Sequence, residues 1–340
     1  SEVMMISAII PSRDRCKELR GLLSALRLKA GADLEVIVVD DGSTDGTADL
    51  VRREHEWVRL LVNPEALGAA AAKNQGAAAA NGELLWFLDS DSAMVGDDTI
   101  LRAGPALLAP RQGVGAVGGE IFSRYDARSM FRQKMLMANG ETRTVSHSGG
   151  YGGTLEVAYL PTCNLMMRKD LFLQVGGFDP GYFYLMEDAD LCHRIQRLGY
   201  KCLASDETAV HHNMALEGRA GDLFLGHRNR IRYMLLNAPA WKAALLPLLD
   251  LWLLASPYKV KALLWGHISA DKHLSPTARA LGSRRTTLPL KVALAGADYL
   301  SSLTRGYAWN LARLPRTLRL RWGRRRDFLC AEHGAALSSG

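Results

Sequence analysis

The chain has 340 residues, 48% of them hydrophobic and 23% charged, with 32 glycines and 12 prolines. This composition suits a large α/β domain with a smaller second region, and it excludes a mainly disordered, collagen-like or coiled-coil protein. The net charge of +7 divides unevenly, because residues 1–218 hold 22 Lys+Arg and 29 Asp+Glu whereas residues 219–340 hold 20 and 6. We therefore predict two domains with these bounds and with different partners.

Strand-like and helix-like segments alternate along the first domain. Apolar, strand-like runs occur at 5–10, 34–39, 58–62 and 84–88, and helical patterns follow them at 17–28, 44–54, 68–80 and 99–108. The alternation predicts βαβ units and an α/β fold with a mainly parallel sheet. Ligands of such sheets bind at the carboxyl ends of the strands, so the polar residues that follow each strand are the first candidates for a site.

The second domain is rich in Leu and Ala and is divided by prolines. Its pattern predicts helices at 223–237, 241–255, 258–268 and 288–303. The longest apolar run, 243–255, has about 13 residues and includes Pro247 and Asp250, whereas a spanning helix needs about 20 residues. We expect no spanning helix. In the first domain, the glycine-rich stretch 148–153 predicts a loop.

The cysteines and the amino end predict the compartment. The chain has five cysteines and no C-x-x-C pair, so neither a disulfide framework nor a structural zinc site is indicated. The first residues lack the basic and apolar regions of a secretory signal. We therefore expect a cytoplasmic protein.

Acidic residues follow two of the predicted strands. Asp40 and Asp41 come directly after the apolar run Val36–Val39, where a carboxylate can bind a base or ribose, although a capping turn explains them equally well. Asp89 and Asp91 follow the run at 84–88. Two carboxylates at this spacing can hold a hard divalent cation and leave positions open for diphosphate oxygens.

Three further groups of residues are candidates for the site. Lys73 and Asn74 lie in an Ala-rich helix that a ligand can approach closely, or else Lys73 is simply solvated. Asp188 falls in the first turn of a predicted helix, where the helix dipole favours the charged form that a general base needs, although capping also explains it. His211 and His212 close an apolar segment, and a histidine there can be a third metal ligand or a structural residue.

Six motifs taken in order resemble the family 2 inverting glycosyltransferases of the GT-A fold, and in particular their rhamnosyltransferase-like branch. They cover roughly residues 4–237 and read Ile9-Ile-Pro-Ser-Arg-Asp-Arg15, Val38-Val-Asp-Asp-Gly-Ser-Thr-Asp45, Lys73-Asn-Gln-Gly76, Phe87-Leu-Asp-Ser-Asp91, Gly176-Gly-Phe-Asp179 and Glu187-Asp-Ala-Asp-Leu-Cys-His-Arg194, followed by His212. The resemblance implies a GT-A, Rossmann-like, mainly parallel sheet with a C-terminal helical extension.

The resemblance also implies a role for each matching residue. Asp188 is implied as the catalytic base, and Asp89, Asp91 and His212 as ligands of Mn²⁺ or Mg²⁺, with His211 as the alternative to His212. The residues implied to line the donor and sugar site are Pro11, Arg13, Asp14, Asp41, Lys73, Asn74, Asp89, Asn164 and Glu187. The implied reaction moves a sugar from a UDP- or dTDP-linked donor to a hydroxyl of a lipid-linked or polysaccharide acceptor.

Two other functions fit parts of the sequence. A sugar nucleotidyltransferase also combines such a sheet with metal-binding carboxylates, but the motif at Glu187–Arg194 disfavours it. Nucleic-acid binding by the basic second domain is disfavoured because its arginines are mixed with Leu-rich helices.

The basic second domain also predicts a partner. Residues 219–326 contain 20 Lys+Arg, 4 Asp+Glu and five of the seven tryptophans, which favours a peripheral contact with an anionic membrane surface on the acceptor side. A soluble helical subdomain or a homo-oligomer interface is the alternative.

Overall fold

The computed structural model describes residues 4–29, 33–94, 99–109, 113–123, 126–131, 133–136, 140–145, 153–212, 222–254 and 288–324. The chain divides into two compact units, the first made of residues 1–136 and 142–214, the second of residues 137–141 and 215–340. The predicted loop at 148–152 and the predicted helix at 258–268 lie outside the described residues.

The first unit is built on a ten-stranded mixed sheet. The described strands are β1 Ile6–Ser12, β2 Leu34–Asp41, β3 Arg59–Asn63, β4 Leu84–Leu88, β5 Ser92–Met94, β6 Val114–Ser123, β7 Asp126–Phe131, β8 Gln133–Leu136, β9 Thr142–Val145, β10 Thr154–Glu156, β11 Asn164–Arg168 and β12 Lys201–His212. The main path of the sheet has the order β10-β12-β6-β11-β4-β1-β2-β3, with β5 paired to β12 and β7 paired to β6. Strands β8 and β9 form a separate antiparallel pair.

Among the described residues, six α-helices belong to the first unit and three, with one further helical segment, to the second. Those of the first unit are α1 Cys16–Lys29, α2 Thr47–Glu54, α3 Ala69–Ala79, α4 Thr99–Leu107, α5 Lys169–Gln174 and α6 Glu187–Arg197. Those of the second unit are α7 Asp222–Asn237, α8 Ala240–Leu254 and α9 Leu288–Ala312, and residues 314–324 are also helical.

The predicted βαβ units are confirmed, with ends that move by a few residues. Strands β3, β2, β1 and β4 are all parallel. The central strand β4 is buried at every position, as a strand covered on both faces must be. Helix α1 buries the leucines that recur at intervals of three and four, which are Leu19, Leu22, Leu23 and Leu26.

The far half of the sheet brings distant segments to the carboxyl end of β4. Strand β11 runs antiparallel to β4 and pairs Asn164 with Leu88, the residue before Asp89. Strand β12 runs antiparallel to β5 and pairs His212 with Ser92, the residue after Asp91. Periodicity along the sequence did not indicate either pairing, because both depend on strands more than 70 residues away.

The second unit has an unusual interior. Helix α7 buries three arginines, Arg228, Arg230 and Arg232. Arg230 donates to the buried carboxylate of Asp250 on α8 at 2.6 Å, and the Tyr307 hydroxyl of α9 donates to the same oxygen at 2.6 Å. The predicted helices at 223–237 and 288–303 are confirmed, and the second of these continues to Ala312. The predicted helix at 241–255 is confirmed as far as Leu254, where the described residues end.

In the described part of the chain, we find no helix that combines the length and the apolar character needed to cross a membrane.

Two glycines give a matched test of the fold. Gly119 lies on β6 where β12 bulges, and a Cβ there would overlap the carbonyl of Thr208. We expect Gly119→Ala to lower the free energy of unfolding by at least about 3 kcal/mol. Gly21→Ala, in the middle of α1 with open space around it, should raise it by about 0.5–1 kcal/mol. Urea unfolding of both variants tests the β6–β12 register. If Gly119→Ala leaves the free energy of unfolding unchanged, that register is wrong.

Candidate active site

Three side chains from two strands meet beyond the carboxyl end of β4. Asp89 and Asp91 leave β4, and His212 ends β12 beside them. His212 Nε2 lies 3.1 Å from Asp91 Oδ1 and 3.4 Å from Asp89 Oδ2, and the three candidate ligand atoms all lie within 4.8 Å of one another. Among the described residues, this is the one cluster of at least three His, Cys, Asp or Glu side chains with such a spacing.

The electrostatics of this cluster suit a cation. Burial alone would lower the pKa of His212, but hydrogen bonds to Asp89 and Asp91 outweigh burial and raise the pKa to about 10. The two carboxylates therefore hold a positive charge between them even without a metal. Carboxylate oxygens with one imidazole nitrogen are ligands that Mn²⁺ and Mg²⁺ accept, so the residues present fit the predicted ion.

His211 and His212 lie on opposite faces of β12, because successive strand residues alternate. The ring of His211 packs against Phe122 with centroids 5.7 Å apart, and its buried Nδ1 has no hydrogen-bond partner in the described part of the chain. The geometry therefore places His212, and not His211, with the two aspartates.

A buried ion pair lies next to the cluster. Lys73 of α3, only 2% exposed, donates from Nζ to Glu187 Oε1 of α6 at 2.9 Å and to the hydroxyl of Thr162. Burial opposes the charge of Lys73, but the carboxylates of Glu187, Asp89 and Asp188 outweigh it and raise the pKa of the amine. Lys73 is therefore not a solvated lysine.

Asp188 lies close to these charges in the first turn of α6. Its Oδ1 accepts a hydrogen bond from the amide of Ala189 at 2.7 Å. Burial and the nearby carboxylates of Asp89, Asp188 and Asp91 also raise the pKa of the Cys163 thiol well above its usual value. The carboxylates of Asp89 and Asp188 therefore lie close enough to both Lys73 and Cys163 to shift their pKa values.

The segment before Asp188 is conformationally strained. Phe183, Leu185 and Met186 all have positive φ, between 67° and 72°, which costs of order 1–3 kcal/mol for each non-glycine residue. Phe183 is held because its carbonyl accepts from the amide of Ala70 at 3.0 Å and its ring packs on Gly68. The start of α3 therefore fixes the entry into α6.

Asp41 and Asp14 organise the loops at the ends of β1 and β2. Asp41 is buried and accepts hydrogen bonds from the side chain of Asn63 and from the amides of Leu67 and Gly68, at 2.8–3.0 Å. Asp14, with φ 51°, accepts from the amide of Thr44 at 2.7 Å. Both carboxylates have clear structural roles, and their predicted contacts with a nucleotide stay predictions.

The remaining predicted donor residues are spread over the same edge of the sheet. The side-chain amide of Asn74 donates to the carbonyl of Phe178 at 2.8 Å and accepts from the backbone amide of Phe178 at 2.9 Å. Asn164 accepts from Trp86 Nε1 at 3.1 Å, and its buried Nδ2 has no partner among the described residues. Pro11 pairs with Val39 at the end of β1, and Arg13 is exposed.

Sequence reasoning missed several residues that hold the site together. Thr162 accepts from Lys73, and a buried pair of Asp190 and Arg194 at 2.9 Å braces α6. The hydroxyl of Tyr182 donates to Asp190, and Arg194 donates to the carbonyl of Val175. The spacing of Asp190 and Arg194, four residues apart on a predicted helix, was the one available signal.

Comparison with known sequences identifies the family. Residues 7–175, about half of the chain, match the pattern described as glycosyl transferase family 2. The chain belongs to this family. The family 2 prediction from the ordered motifs is thereby confirmed, and the matched segment holds Asp89, Asp91, Lys73 and Asn164.

Two relatives from Mycobacterium tuberculosis show the extent of similarity. The chain is 29% identical over 220 residues to a pre-mycofactocin glycosyltransferase, which covers 61% of this chain and 42% of that protein. It is 26% identical over 271 residues to an N-acetylglucosaminyl-diphospho-decaprenol L-rhamnosyltransferase, and this alignment covers 67% of this chain and 83% of that protein. The chain thus spans less than half the length of the first relative.

Solved structures confirm the GT-A fold of this family 2 protein. A mannosyltransferase from Pyrobaculum calidifontis, solved with GDP-Man and Mn²⁺, superposes with a TM-score of 0.54 at 20% identity over 88% of both chains. The structure of GalNAc-T7 with UDP, GalNAc and Mn²⁺ gives 0.57 at 14% identity over 69% of this chain and 48% of that chain. At these identities the likeness concerns the fold.

The Lys73–Glu187 pair predicts strong coupling in stability. We expect Lys73→Met to lower the free energy of unfolding by about 3–5 kcal/mol, because it leaves Glu187 as a buried, uncompensated carboxylate. The double variant Lys73→Met/Glu187→Gln should be more stable than the sum of the two single changes predicts, by about 1–3 kcal/mol. Urea unfolding of the four proteins measures this coupling, and strictly additive losses would show that the pair is not an interacting unit.

Proposed function

We propose that this protein is an inverting glycosyltransferase that moves a sugar from a pyrimidine nucleoside-diphosphate sugar to a hydroxyl acceptor. The observation that carries the proposal is the meeting of Asp89, Asp91 and His212 with the acidic start of α6. A cation site for a diphosphate and a carboxylate for an acceptor then stand at one edge of the sheet, where ligands of such folds bind.

In the proposed reaction, Asp188 removes the proton from the acceptor hydroxyl. The hydroxyl oxygen attacks C1 of the sugar from the face opposite the diphosphate, the bond from C1 to the diphosphate oxygen breaks, and the nucleoside diphosphate leaves. This single displacement inverts the configuration at C1. The amide of Ala189 and the N-terminus of α6 favour the charged form of Asp188, which is the form that accepts a proton.

A Mn²⁺ or Mg²⁺ ion held by Asp89, Asp91 and His212 would supply stabilisation of the negative charge on the leaving diphosphate. Lys73 adds a fixed positive charge, and its hydrogen bond to Glu187 orients the residue next to Asp188. These residues bind and orient the donor, with Asp188 left to act as the base.

The donor and the acceptor are proposed more broadly. A UDP- or dTDP-linked donor agrees with the UDP in one structural neighbour. Another neighbour was solved with GDP-Man, so a panel of donors should test which nucleotide the enzyme prefers. A lipid-linked acceptor agrees with the decaprenol-linked substrate in the name of one relative. We propose that residues 219–340 lie on this acceptor side.

A donor panel separates transfer from its main rival. The proposed reaction releases a nucleoside diphosphate, whereas a sugar nucleotidyltransferase would release or consume pyrophosphate. The assay should therefore detect both products, with and without metal.

The base assignment is tested by Asp188→Asn. We expect transfer to fall by about 10²–10⁴-fold, because an amide cannot take the acceptor proton, while donor affinity measured by calorimetry stays close to that of the wild type. The amide oxygen of Asn can still accept from Ala189, so the helix start should survive.

Asp170→Asn is the matched control. Asp170 also lies in the first turn of a helix and accepts from the next amide, at 2.6 Å, but it lies on the exposed surface at α5. This variant should transfer sugar at the wild-type rate. If Asp188→Asn keeps more than a few per cent of wild-type transfer, Glu187 or another group is the base.

The metal site is tested by Asp91→Ala and His212→Ala. We expect each to weaken Mn²⁺ binding by at least about tenfold, because a site with three protein ligands has none to spare, and to weaken donor binding with it. Titration of free Mn²⁺ by electron paramagnetic resonance measures the affinity without any turnover.

His211→Ala is the control for the metal site, because the ring of His211 packs on Phe122. This variant should bind Mn²⁺ as the wild type does. Loss of Mn²⁺ binding in His211→Ala with retention in His212→Ala would reverse the assignment. Full turnover in excess chelator would remove the metal from the proposal.

A further inference from the structure

Helix α8 carries an apolar face that is exposed in the part of the second unit that the structure describes. Trp241, Leu245, Leu248 and Trp252 recur at intervals of three and four, so they share one side of the helix. All four are exposed, Trp241 by 62% and Trp252 by 67%. On the opposite side of α8, Leu246 and Asp250 are buried.

Helix α8 has the reverse of the usual arrangement, in which apolar side chains face the interior and polar side chains face solvent. The side that faces the unit holds Asp250, bound to Arg230 and Tyr307, while the side that faces outward is made of tryptophan and leucine. Several large apolar side chains exposed together on one helix face mark a surface that binds a partner. A helix with tryptophans at both ends of an apolar face is typical of the boundary between lipid headgroups and acyl chains.

A basic segment lies beside the start of α8. Residues 313–324 hold five arginines and no acidic residue. Arg321 donates to the carbonyls of Leu235 and Ala238, at 2.6 and 2.7 Å, and so ties this segment to the turn between α7 and α8. Trp322, 72% exposed, is therefore close to the end of α8 that carries Trp241.

Three arginines of this segment share one open surface. Arg313, Arg316 and Arg319 line the same cleft, together with Ala312 and Pro315. All three are exposed, and none of the described residues that line the cleft is acidic. A surface of this kind attracts anionic groups such as lipid phosphates.

The charge argues against a second copy of this chain as the partner. A two-fold contact through α8 would bring two copies of the basic segment to one interface, with no acidic residue in 313–324 of either copy to compensate them. Like charges across an interface oppose association. An anionic bilayer instead offers acyl chains to the apolar face and phosphates to the arginines.

We propose that the apolar face of α8, with the basic segment 313–324, docks on an anionic lipid bilayer. The tryptophans and leucines enter the headgroup boundary, and the exposed arginines contact lipid phosphates. The docking itself is independent of catalysis. Only its purpose, to hold the enzyme beside a lipid-linked acceptor, rests on the proposed function.

Co-sedimentation of the 340-residue protein with vesicles tests the docking. One set of vesicles contains two parts phosphatidylcholine and one part phosphatidylglycerol, the other phosphatidylcholine alone, each at low and high salt and without donor or acceptor. We expect binding to the anionic vesicles at low salt. We call the triple substitution Trp241→Ser/Leu248→Ser/Trp252→Ser the α8 variant. Its partition coefficient should be at least about tenfold lower than that of the wild type. Arg316→Gln/Arg319→Gln should lower it about ten- to thirtyfold, and on anionic vesicles only.

Two controls on the first unit match these changes. Leu28→Ser/Leu173→Ser removes two exposed leucines, 89% and 60% exposed, and Arg52→Gln/Arg53→Gln removes two exposed arginines of α2. Both should bind vesicles as the wild type does. All substituted side chains are exposed, and circular dichroism checks that each variant is folded.

Three results would overturn the docking proposal. The wild type could stay in the supernatant with anionic vesicles at low salt, or the α8 variant could bind as the wild type does. Sedimentation velocity could also show a wild-type dimer that the α8 variant dissociates, with vesicle binding unchanged, which would assign the face to a second copy. Because no donor is present, failure of sugar transfer in a separate assay would leave the vesicle result untouched.

Discussion

The buried ion pair between Lys73 and Glu187 is the interaction on which the site depends. It joins α3 to α6 across 114 residues of sequence, and both side chains are almost fully buried. Two charges removed from water are stable only when each compensates the other, so the pair fixes the separation of the two helices. Since Asp188 follows Glu187 directly, the proposed base inherits its position from a contact made by its neighbour.

The same edge of the sheet holds an excess of negative charge. Asp89, Asp188 and Glu187 surround Lys73, and Asp89 and Asp91 flank His212, so that among the described residues these two cations offset the carboxylates. The raised pKa of His212 and that of Lys73 have this one cause. A divalent cation bound by Asp89 and Asp91 would relieve the repulsion that the proton on His212 now offsets, which ties metal binding to the electrostatics of the whole site.

The two units use buried charge differently. In the first unit, charged groups are buried where a ligand is proposed to bind, and strain at Phe183, Leu185 and Met186 is stored beside them. In the second unit, Arg230 and Asp250 are buried in the packing of helices, while the apolar side chains of α8 face outward. We propose that the first arrangement serves catalysis and that the second leaves a surface for docking on a bilayer.

The sequence by itself determined the parallel half of the sheet, because continuous apolar runs and helical periodicity are local signals. Its ordered motifs also indicated the family and the candidate residues. Only the tertiary structure decided that His212 and not His211 faces the aspartates, since that follows from the pairing of β12 with β5 and from strand alternation. The structure alone also showed that Lys73 is buried against Glu187 and which side of α8 is exposed. These facts depend on contacts between distant segments, and the spacing of residues along one segment carries no information about its partner.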